Sequence, residues 1–208
     1  MSAPLRESRH IDRRQATNFF AAIRFAERQG RLLNILVTFN LDHTTCPPEH
    51  VSAAFKKLRK DRFARWLGYR AGKRPQYGSA TYVWVIENSG GDTHVHWAVH
   101  IPKPLRAQFK AKLRPWLTDV AGVIECEQSA IHTEPIGGAR GLGKYMMKGI
   151  DRRCARMNYV RPSPQGVVCG KRCGISESLG PTARKRTQEQ HAAWPVQRGH
   201  RLIDDSPE

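Results

Sequence analysis

The chain has 208 residues, of which 35 are lysine or arginine and 18 are acidic, so its formal net charge is +17. A charge of this sign and size attracts polyanions such as nucleic acid. The sequence contains no run of about 18 apolar residues, which excludes a transmembrane helix. Residues 1–14 lack the apolar stretch of a secretory signal, and the five cysteines do not resemble a disulfide framework. We therefore expect a cytoplasmic protein without a membrane partner and with reduced thiols.

Three elements are predicted in the first third of the chain. Apolar residues recur at helical spacing over residues 8–30 and end at Gly30, which predicts a helix. Strict alternation over residues 33–41 predicts a strand. Pro47 precedes a second helix with an apolar face and a basic face. The basic face is either an ordinary solvated surface or a set of phosphate contacts. Its candidate DNA-binding residues are Lys56, Lys57, Lys60 and Arg62.

A β-hairpin is predicted next, because residues 81–88 and 94–101 are both extended in pattern and flank the turn sequence Ser-Gly-Gly-Asp. Pro104 begins another helix, and residues 123–135 are a weaker strand candidate. A glycine-rich turn then leads to a short helix around Tyr145. This order of elements predicts an α+β fold, in which an antiparallel β-sheet has helices packed on it.

The predicted organisation has three parts: an N-terminal helix in residues 1–30, a central domain in residues 31–151 and a basic extension in residues 152–208. The extension is rich in proline, glycine and serine, which predicts an irregular or partly disordered segment. It contains Cys154, Cys169 and Cys173, which weakly suggest zinc. The three-residue gap between the last two and the missing fourth ligand argue against that reading.

The second strand of the predicted hairpin carries histidines on one face and apolar residues on the other. His94 and His96, at i and i+2, can share one metal ion, and a carboxylate would be a suitable third ligand. Glu87, across the turn, is the first candidate, and Asp92, in the turn, is the second. An isolated His-x-His is more often a surface or packed pair. His100, further along the strand, is expected to be a rim or packed histidine.

A second motif follows about fifty residues after the histidines. Tyr145 and Lys148 stand at i and i+3, so they are neighbours on one face of the predicted short helix. Taken alone, this pattern also fits a tyrosine at the edge of an ordinary amphipathic helix. Arg140 and Lys144 lie in the same segment and are further candidate DNA contacts.

With these motifs in place, the chain resembles the HUH endonuclease superfamily, and within it the single-tyrosine rolling-circle replication initiators (Rep-like). The resemblance covers roughly residues 33–150. A tyrosine after the histidines separates this pattern from conjugative relaxases, and a lysine rather than a glutamine after the tyrosine favours initiators over single-tyrosine transposases. The matching residues are a weak first motif at Thr38-Phe39-Asn40, the acidic Glu87, the pair His94 and His96, and Tyr145 with Lys148.

The resemblance implies a site-specific, metal-dependent enzyme that nicks single-stranded DNA or extruded origin DNA. His94, His96 and Glu87 would hold Mg²⁺ or Mn²⁺, and Tyr145 would attack phosphorus to form a 5′-phosphotyrosine. Positive charge from Lys148 and the metal is expected to favour the phenolate. The released 3′-hydroxyl would prime replication. No Gly-x-x-x-x-Gly-Lys-Ser/Thr motif is present, so a host helicase and polymerase are expected partners.

Three alternatives remain open from the sequence. A single-tyrosine HUH transposase shares the order of motifs found here. A catalytically silent DNA-binding regulator would keep the fold and the charge but perform no chemistry. A zinc hydrolase using the same two histidines and Glu87 would activate water and give Tyr145 no role.

Overall fold

A five-stranded antiparallel sheet forms the centre of the molecule, as seen in a computed structural model that describes residues 6–193 except for the side chains of Glu127, Arg140 and residues 191–193. The strands are β1 (Glu7–Ser8), β2 (Ile35–Asn40), β3 (Tyr82–Ser89), β4 (Asp92–Val99), β5 (Ile131–Pro135), β6 (Val168–Cys169) and β7 (Cys173–Ile175). The sheet has the order β5-β2-β4-β3-β7, while β1 pairs with β6 in a separate ribbon. The predicted hairpin is β3-β4, and the strand predicted at residues 33–41 is β2.

Helices cover both faces of this sheet, which confirms the predicted α+β class. The α-helices are α1 (Arg13–Arg28), α2 (Val51–Lys57), α3 (Arg65–Lys73), α4 (Arg106–Ala121), α5 (Glu127–Ala130), α6 (Ala139–Met146), α7 (Arg152–Ala155) and α8 (Pro181–Ala193). The 3₁₀ helices are Leu41–His43, Pro48–His50, Pro75–Tyr77, Lys103–Leu105, Arg156–Asn158 and Glu177–Leu179. A π-helix over Leu58–Ala64 joins α2 to α3, so residues 51–73 form one continuous helical segment. None of the described helices is long and apolar enough to cross a membrane.

One face of the sheet packs against the helical segment 51–73 and α4. Trp84 of β3 and Trp97 of β4 are almost completely buried there. Phe63, in the π-helix, meets Trp97 edge to face with ring centroids 4.9 Å apart. Burying a large side chain of this kind contributes about 1.5–3 kcal/mol. The apolar face of β4 is therefore fixed in this layer, and its histidine face is turned the other way.

The opposite face of the sheet is covered by α1 and α6. Asp12 and Gln15 form a capping box, because each side chain accepts a hydrogen bond from the other residue's backbone N–H. The helix therefore begins at Arg13 rather than at residue 8 as predicted. Phe19 of α1 and both Leu142 and Met146 of α6 share one buried cluster. This packing anchors α6 over the histidine side of the sheet.

The described part of the predicted C-terminal extension, residues 152–193, is not an irregular appendage. Its strand β7 pairs with β3, in the register Val85 to Cys173, and forms one edge of the central sheet. Because Cys173 lies in the same core cluster as α1, the extension, the N-terminal helix and the central segment share one core. The remainder of the predicted extension, residues 194–208, lies outside the described residues.

The loop before β7 is held in place by hydrogen bonds from a buried arginine rather than by regular secondary structure. Arg172 is 1% exposed, and its guanidinium donates hydrogen bonds to the carbonyls of Gln165 at 3.1 Å and Ser8 at 2.7 Å. A third bond goes to the carbonyl of Gly166. Proline and glycine in this loop suggested irregularity, but side-chain donors satisfy its backbone and hold it in place.

Candidate active site

The β3-β4 hairpin sets the spacing of the predicted metal ligands. Gly90 and Gly91 have φ angles of 70° and 99°, and positive φ at both central positions is what a type I′ hairpin turn requires. This turn fixes a register in which Glu87 stands directly opposite His94. His96 is two residues further along, so all three side chains lie on one face of the sheet.

The Glu87 carboxylate is the centre of the site. Its Oε2 lies 3.3 Å from Nε2 of His96 and 3.4 Å from Nζ of Lys148. Glu87 is 5% exposed and His96 is 4% exposed. Burial by itself raises the pKa of Glu87, but the hydrogen bonds and charges of His96 and Lys148 outweigh it and bring that pKa below its usual value. Glu87 is consequently an ionised carboxylate at neutral pH.

His96 is oriented by a threonine from the neighbouring strand. Thr38 of β2 is its partner in the sheet register, and Thr38 Oγ1 lies 3.0 Å from Nδ1 of the imidazole. With Nδ1 occupied in this way, Nε2 is directed at Glu87. In the sequence, Thr38 belongs to a short motif for which no role could be predicted, because the spacing of residues does not reveal the pairing of β2 with β4.

Tyr145 and Lys148 reach the same site from α6 and the turn after it. The Tyr145 ring lies edge to face against the ring of His96, with centroids 5.2 Å apart and planes at 71°. Lys148 Nζ is 4.5 Å from the centroid of the Tyr145 ring, which is within the range of a cation–π contact. Tyr145 is 42% exposed, so a polymer arriving from solvent can reach it.

The protein's own charges do not favour the Tyr145 phenolate. Burial, and then the carboxylates of Glu87 and Glu134, raise the pKa of Tyr145 above its ordinary value. Glu134 belongs to β5, opposite Leu36 of β2. Tyr145 is therefore a neutral phenol at neutral pH, and the help expected from Lys148 together with a bound metal stays a prediction.

The chemistry of the donor atoms fits a divalent metal ion. His94 Nε2 and Glu87 Oε1 are both buried and have no hydrogen-bond partner, and buried polar atoms of this kind normally have one. Imidazole nitrogen and carboxylate oxygen are common ligands of divalent ions. Among the described residues, however, no three His, Cys, Asp or Glu side chains form a ready-made metal site. The rings of His94 and His96 have centroids 6.2 Å apart, so a shared ion would require these side chains to turn toward it.

Two other predicted candidates lie apart from this cluster. Asp92, the second choice for a ligand, is exposed at the start of β4. His100 lies beyond the other end of β4, where its Nδ1 is 2.8 Å from the carbonyl oxygen of Leu32. The structure thus brings Glu87, and not Asp92, into contact with His96.

Comparison with known proteins does not assign this chain to a family. No protein-family model matches the chain, and no curated protein matches it. The resemblance to HUH endonucleases accordingly rests on the sequence motifs alone.

The predicted DNA-binding residues fall into two groups. The basic residues of segment 51–73 lie on the layer opposite Tyr145, since that segment packs on the tryptophan face of the sheet. Two of the predicted contacts in this segment are in ion pairs: Arg62 Nη2 is 2.6 Å from Asp119, and Lys60 Nζ is 3.9 Å from Glu177. Lys144 is next to Tyr145 on α6, while the side chain of Arg140 lies outside the described ones. The distant group is Lys56, Lys57, Lys60 and Arg62.

Arg172 is buried close to the site, and no pattern in the sequence predicted it. Its backbone carbonyl accepts a hydrogen bond from the N–H of Ile86 at 2.6 Å, next to Glu87 in β3. Burial lowers the pKa of Arg172, and the charge of Glu87 opposes that shift. The guanidinium therefore adds positive charge near the Glu87 carboxylate. Nothing in the local sequence Gly-Lys-Arg-Cys distinguishes this arginine from a surface residue.

Proposed function

We propose that the chain is a site-specific single-strand DNA endonuclease that cleaves by attack of Tyr145 on a backbone phosphate. The observation that carries this proposal is the meeting of Tyr145, His96 and Lys148 around Glu87. These side chains come from three separate segments of the chain and have the chemistry of a nucleophile, an imidazole, a cation and a carboxylate. If these residues only stabilised the fold, there would be no need to place an imidazole, a cation and a carboxylate together beside a half-exposed tyrosine.

The proposed reaction is a transesterification. The Tyr145 oxygen forms a bond to phosphorus, and the bond from phosphorus to the 3′ oxygen breaks. The phenol loses its proton, and the leaving oxygen takes up a proton to become a free 3′-hydroxyl. The 5′ end of the nick stays joined to Tyr145 as a phosphotyrosine. Because the phosphodiester energy is conserved in this link, attack by a 3′-hydroxyl can rejoin the strand.

The chain's own side chains have distinct tasks in this scheme. Lys148 holds a positive charge beside the Tyr145 ring, where it can offset negative charge that builds up on the phosphate. Glu87 keeps Lys148 and His96 in position through its Oε2, and Thr38 orients His96. A bound Mg²⁺ or Mn²⁺, held by His94, His96 and Glu87, would supply a Lewis acid for the scissile phosphate.

The substrate and the biological setting rest on charge and on resemblance. The formal charge of +17 supports nucleic acid as the partner, and a phosphate that must reach Tyr145 and the histidine face fits a single strand better than a duplex. The HUH resemblance supports initiation of rolling-circle replication at an origin, with a host helicase and polymerase completing the process. The same resemblance makes a single-tyrosine transposase the nearest alternative.

The test is to trap the covalent product. Labelled single-stranded DNA is incubated with the purified protein and Mn²⁺, and the adduct is mapped by peptide mass spectrometry. We expect attachment at Tyr145 and a free 3′-hydroxyl on the other fragment. Tyr145→Phe should bind DNA without forming an adduct, while the matched control Tyr69→Phe, altered at a 62% exposed tyrosine, should react normally.

Other outcomes would point to the competing functions. Cleavage that survives in Tyr145→Phe would support a hydrolase that activates water. DNA binding without cleavage under any divalent ion would support a regulator. An adduct on another tyrosine would overturn the assignment of the nucleophile.

A further inference from the structure

A groove lies beside α6, on the side of that helix facing α1 and the end of the 3₁₀ helix Arg156–Asn158. Its volume is about 400 Å³, within the range of small-molecule pockets. Aromatic and basic side chains line it together: Phe20, Arg24, Lys144 and Tyr159. Lys144 directly precedes Tyr145 in α6, so the groove lies along the helix that carries the proposed nucleophile.

Tyr159, on the rim of the groove, has an unusual backbone conformation. Its φ and ψ are 52° and 36°, and it is the one non-glycine residue with positive φ in the described part of the chain. It ends the Arg156–Asn158 helix, where its N–H donates to the carbonyl of Arg156 at 3.2 Å. Glycine or asparagine usually occupies such a position, because a bulky side chain is strained there.

Burial does not compensate for that strain. Tyr159 is 79% exposed, and its neighbour Met157 is 63% exposed. A strained residue that buries little of its ring contributes poorly to folding, and such residues cluster at functional sites. Neither local backbone preference nor packing accounts for an aromatic residue at this position, and a ligand that stacks on the ring would account for it.

The other residues of the groove define the chemistry of that ligand. Phe20 packs so closely on α6 that a Cβ at Gly143 would lie 2.8 Å from its ring, so glycine at this position lets the aromatic floor approach the helix. The charged residues of the lining are Arg24, Lys144 and Glu27, so the lining carries a net positive charge. Flat aromatic surfaces next to cations are what unpaired nucleobases and their phosphates bind.

We propose that this groove is a nucleobase subsite, in which a base of the single-stranded DNA stacks on Tyr159 while Lys144 and Arg24 contact its flanking phosphates. The inference rests on the proposed function for the identity of the substrate. A base held beside Lys144 would fix the register of the strand, and so determine which phosphate is presented to Tyr145. The subsite is thus a positioning and specificity element, separate from the reacting atoms.

The test uses binding without chemistry. In a Tyr145→Phe background without divalent ions, affinity for a fluorescent DNA oligonucleotide is measured by anisotropy. Tyr159→Leu should weaken binding about tenfold, and Tyr159→Phe should restore it, because stacking needs the ring and not the hydroxyl. Tyr69→Leu, at an exposed tyrosine of α3 on the other layer, should leave the affinity unchanged. Equal affinity for the Tyr159→Leu variant and its parent would overturn the subsite.

Two further measurements separate stacking from a loss of folding. Tyr159→Gly relieves the backbone strain, so it should raise the melting temperature and still weaken DNA binding, which a structural defect cannot do. A 5-iodouracil oligonucleotide should photo-crosslink to Tyr159, and mapping of the crosslink only to residues outside the groove would overturn the proposal.

If Tyr145 forms no adduct but binding still depends on Tyr159, the nuclease function fails and the subsite stands. If Tyr145 forms the adduct but DNA binding does not depend on Tyr159, the nuclease function stands and the subsite fails.

Discussion

The Tyr145 ring lies edge to face against the His96 ring, with centroids 5.2 Å apart. The first residue comes from a helix after a glycine-rich turn, and the second comes from the central hairpin. His96 and Lys148 both contact the Glu87 carboxylate, and both lie against the Tyr145 ring. The proposed nucleophile and the proposed metal ligands are therefore in contact before any substrate binds. Small changes in this cluster should therefore alter chemistry without removing the fold.

Replacing both His94 and His96 with alanine should abolish metal-dependent cleavage but leave most of the DNA affinity. We expect that affinity to come mainly from basic residues elsewhere on the surface. Cleavage and binding are measured separately, by gel assay with Mn²⁺ and by anisotropy. The matched control is His50→Ala, at an exposed histidine outside the site. Undiminished cleavage by the double variant would contradict the metal assignment.

Thr38→Val should lower the cleavage rate by about tenfold or more while the protein stays folded. The variant keeps the shape of the side chain but removes the hydroxyl that holds Nδ1 of His96, and loss of such an orienting partner commonly has an effect of this size. Thr133→Val, in β5 opposite Val37 and so on the other face of the sheet, is the control. Equal rates for the two variants would show that His96 does not need its threonine.

Arg172→Met should reduce the free energy of unfolding by about 3 kcal/mol, because it leaves buried backbone carbonyls without their donor. Urea unfolding followed by circular dichroism measures this loss. Lys171→Met removes an exposed neighbouring charge and should have little effect. A small loss for Arg172→Met would mean that the loop is held by other contacts.

His100 should make the protein less stable at mildly acidic pH. Burial lowers its pKa, the hydrogen bond with the Leu32 carbonyl opposes this, and the charges of Arg31 and Arg106 lower it further. The unfolded chain, with a pKa of about 6.5, then binds the proton more readily than the folded one. Its contribution to stability is complete above that value and is lost as the pH falls through the lower folded pKa. The free energy of unfolding should differ less between pH 7.5 and pH 5.0 in His100→Asn than in the parent protein. An equal difference in the two proteins would refute this prediction.

DNA affinity should fall steeply with salt, with a log–log slope of about −0.7 for each phosphate neutralised on a single strand. Lys56 and Lys57 lie on the layer away from Tyr145. Changing both to glutamine should reduce the slope for a long oligonucleotide but leave cleavage of a short one unaffected. Loss of short-substrate cleavage would place these lysines near the scissile phosphate instead.

The hairpin and its side-chain faces could be predicted because their causes are local. Two glycines determine the turn, and strict alternation determines which residues share a face, so the relation of Glu87 to His94 follows from a few adjacent residues. The pairing of Tyr145 with Lys148 is local as well, since it depends only on helical spacing.

The rest of the site depends on pairings between distant segments. Thr38 meets His96 only because β2 lies beside β4, and no spacing in the chain reports that. The strand β7 has three residues, one of them glycine, which is too short to show a pattern. The pKa of Tyr145 is raised by burial, by Glu87 and then by Glu134, and the edge strand β5 brings that last residue close.

The place of β7 in the sheet also determines when the site is completed. This strand comes near the end of the described chain, yet it pairs with β3, the strand that carries Glu87. Contacts between residues so far apart in sequence form slowly, because a long loop must close first. During synthesis, β3 leaves the ribosome well before its edge partner exists. The carboxylate at the centre of the site therefore obtains its final support only after the chain has been made as far as β7.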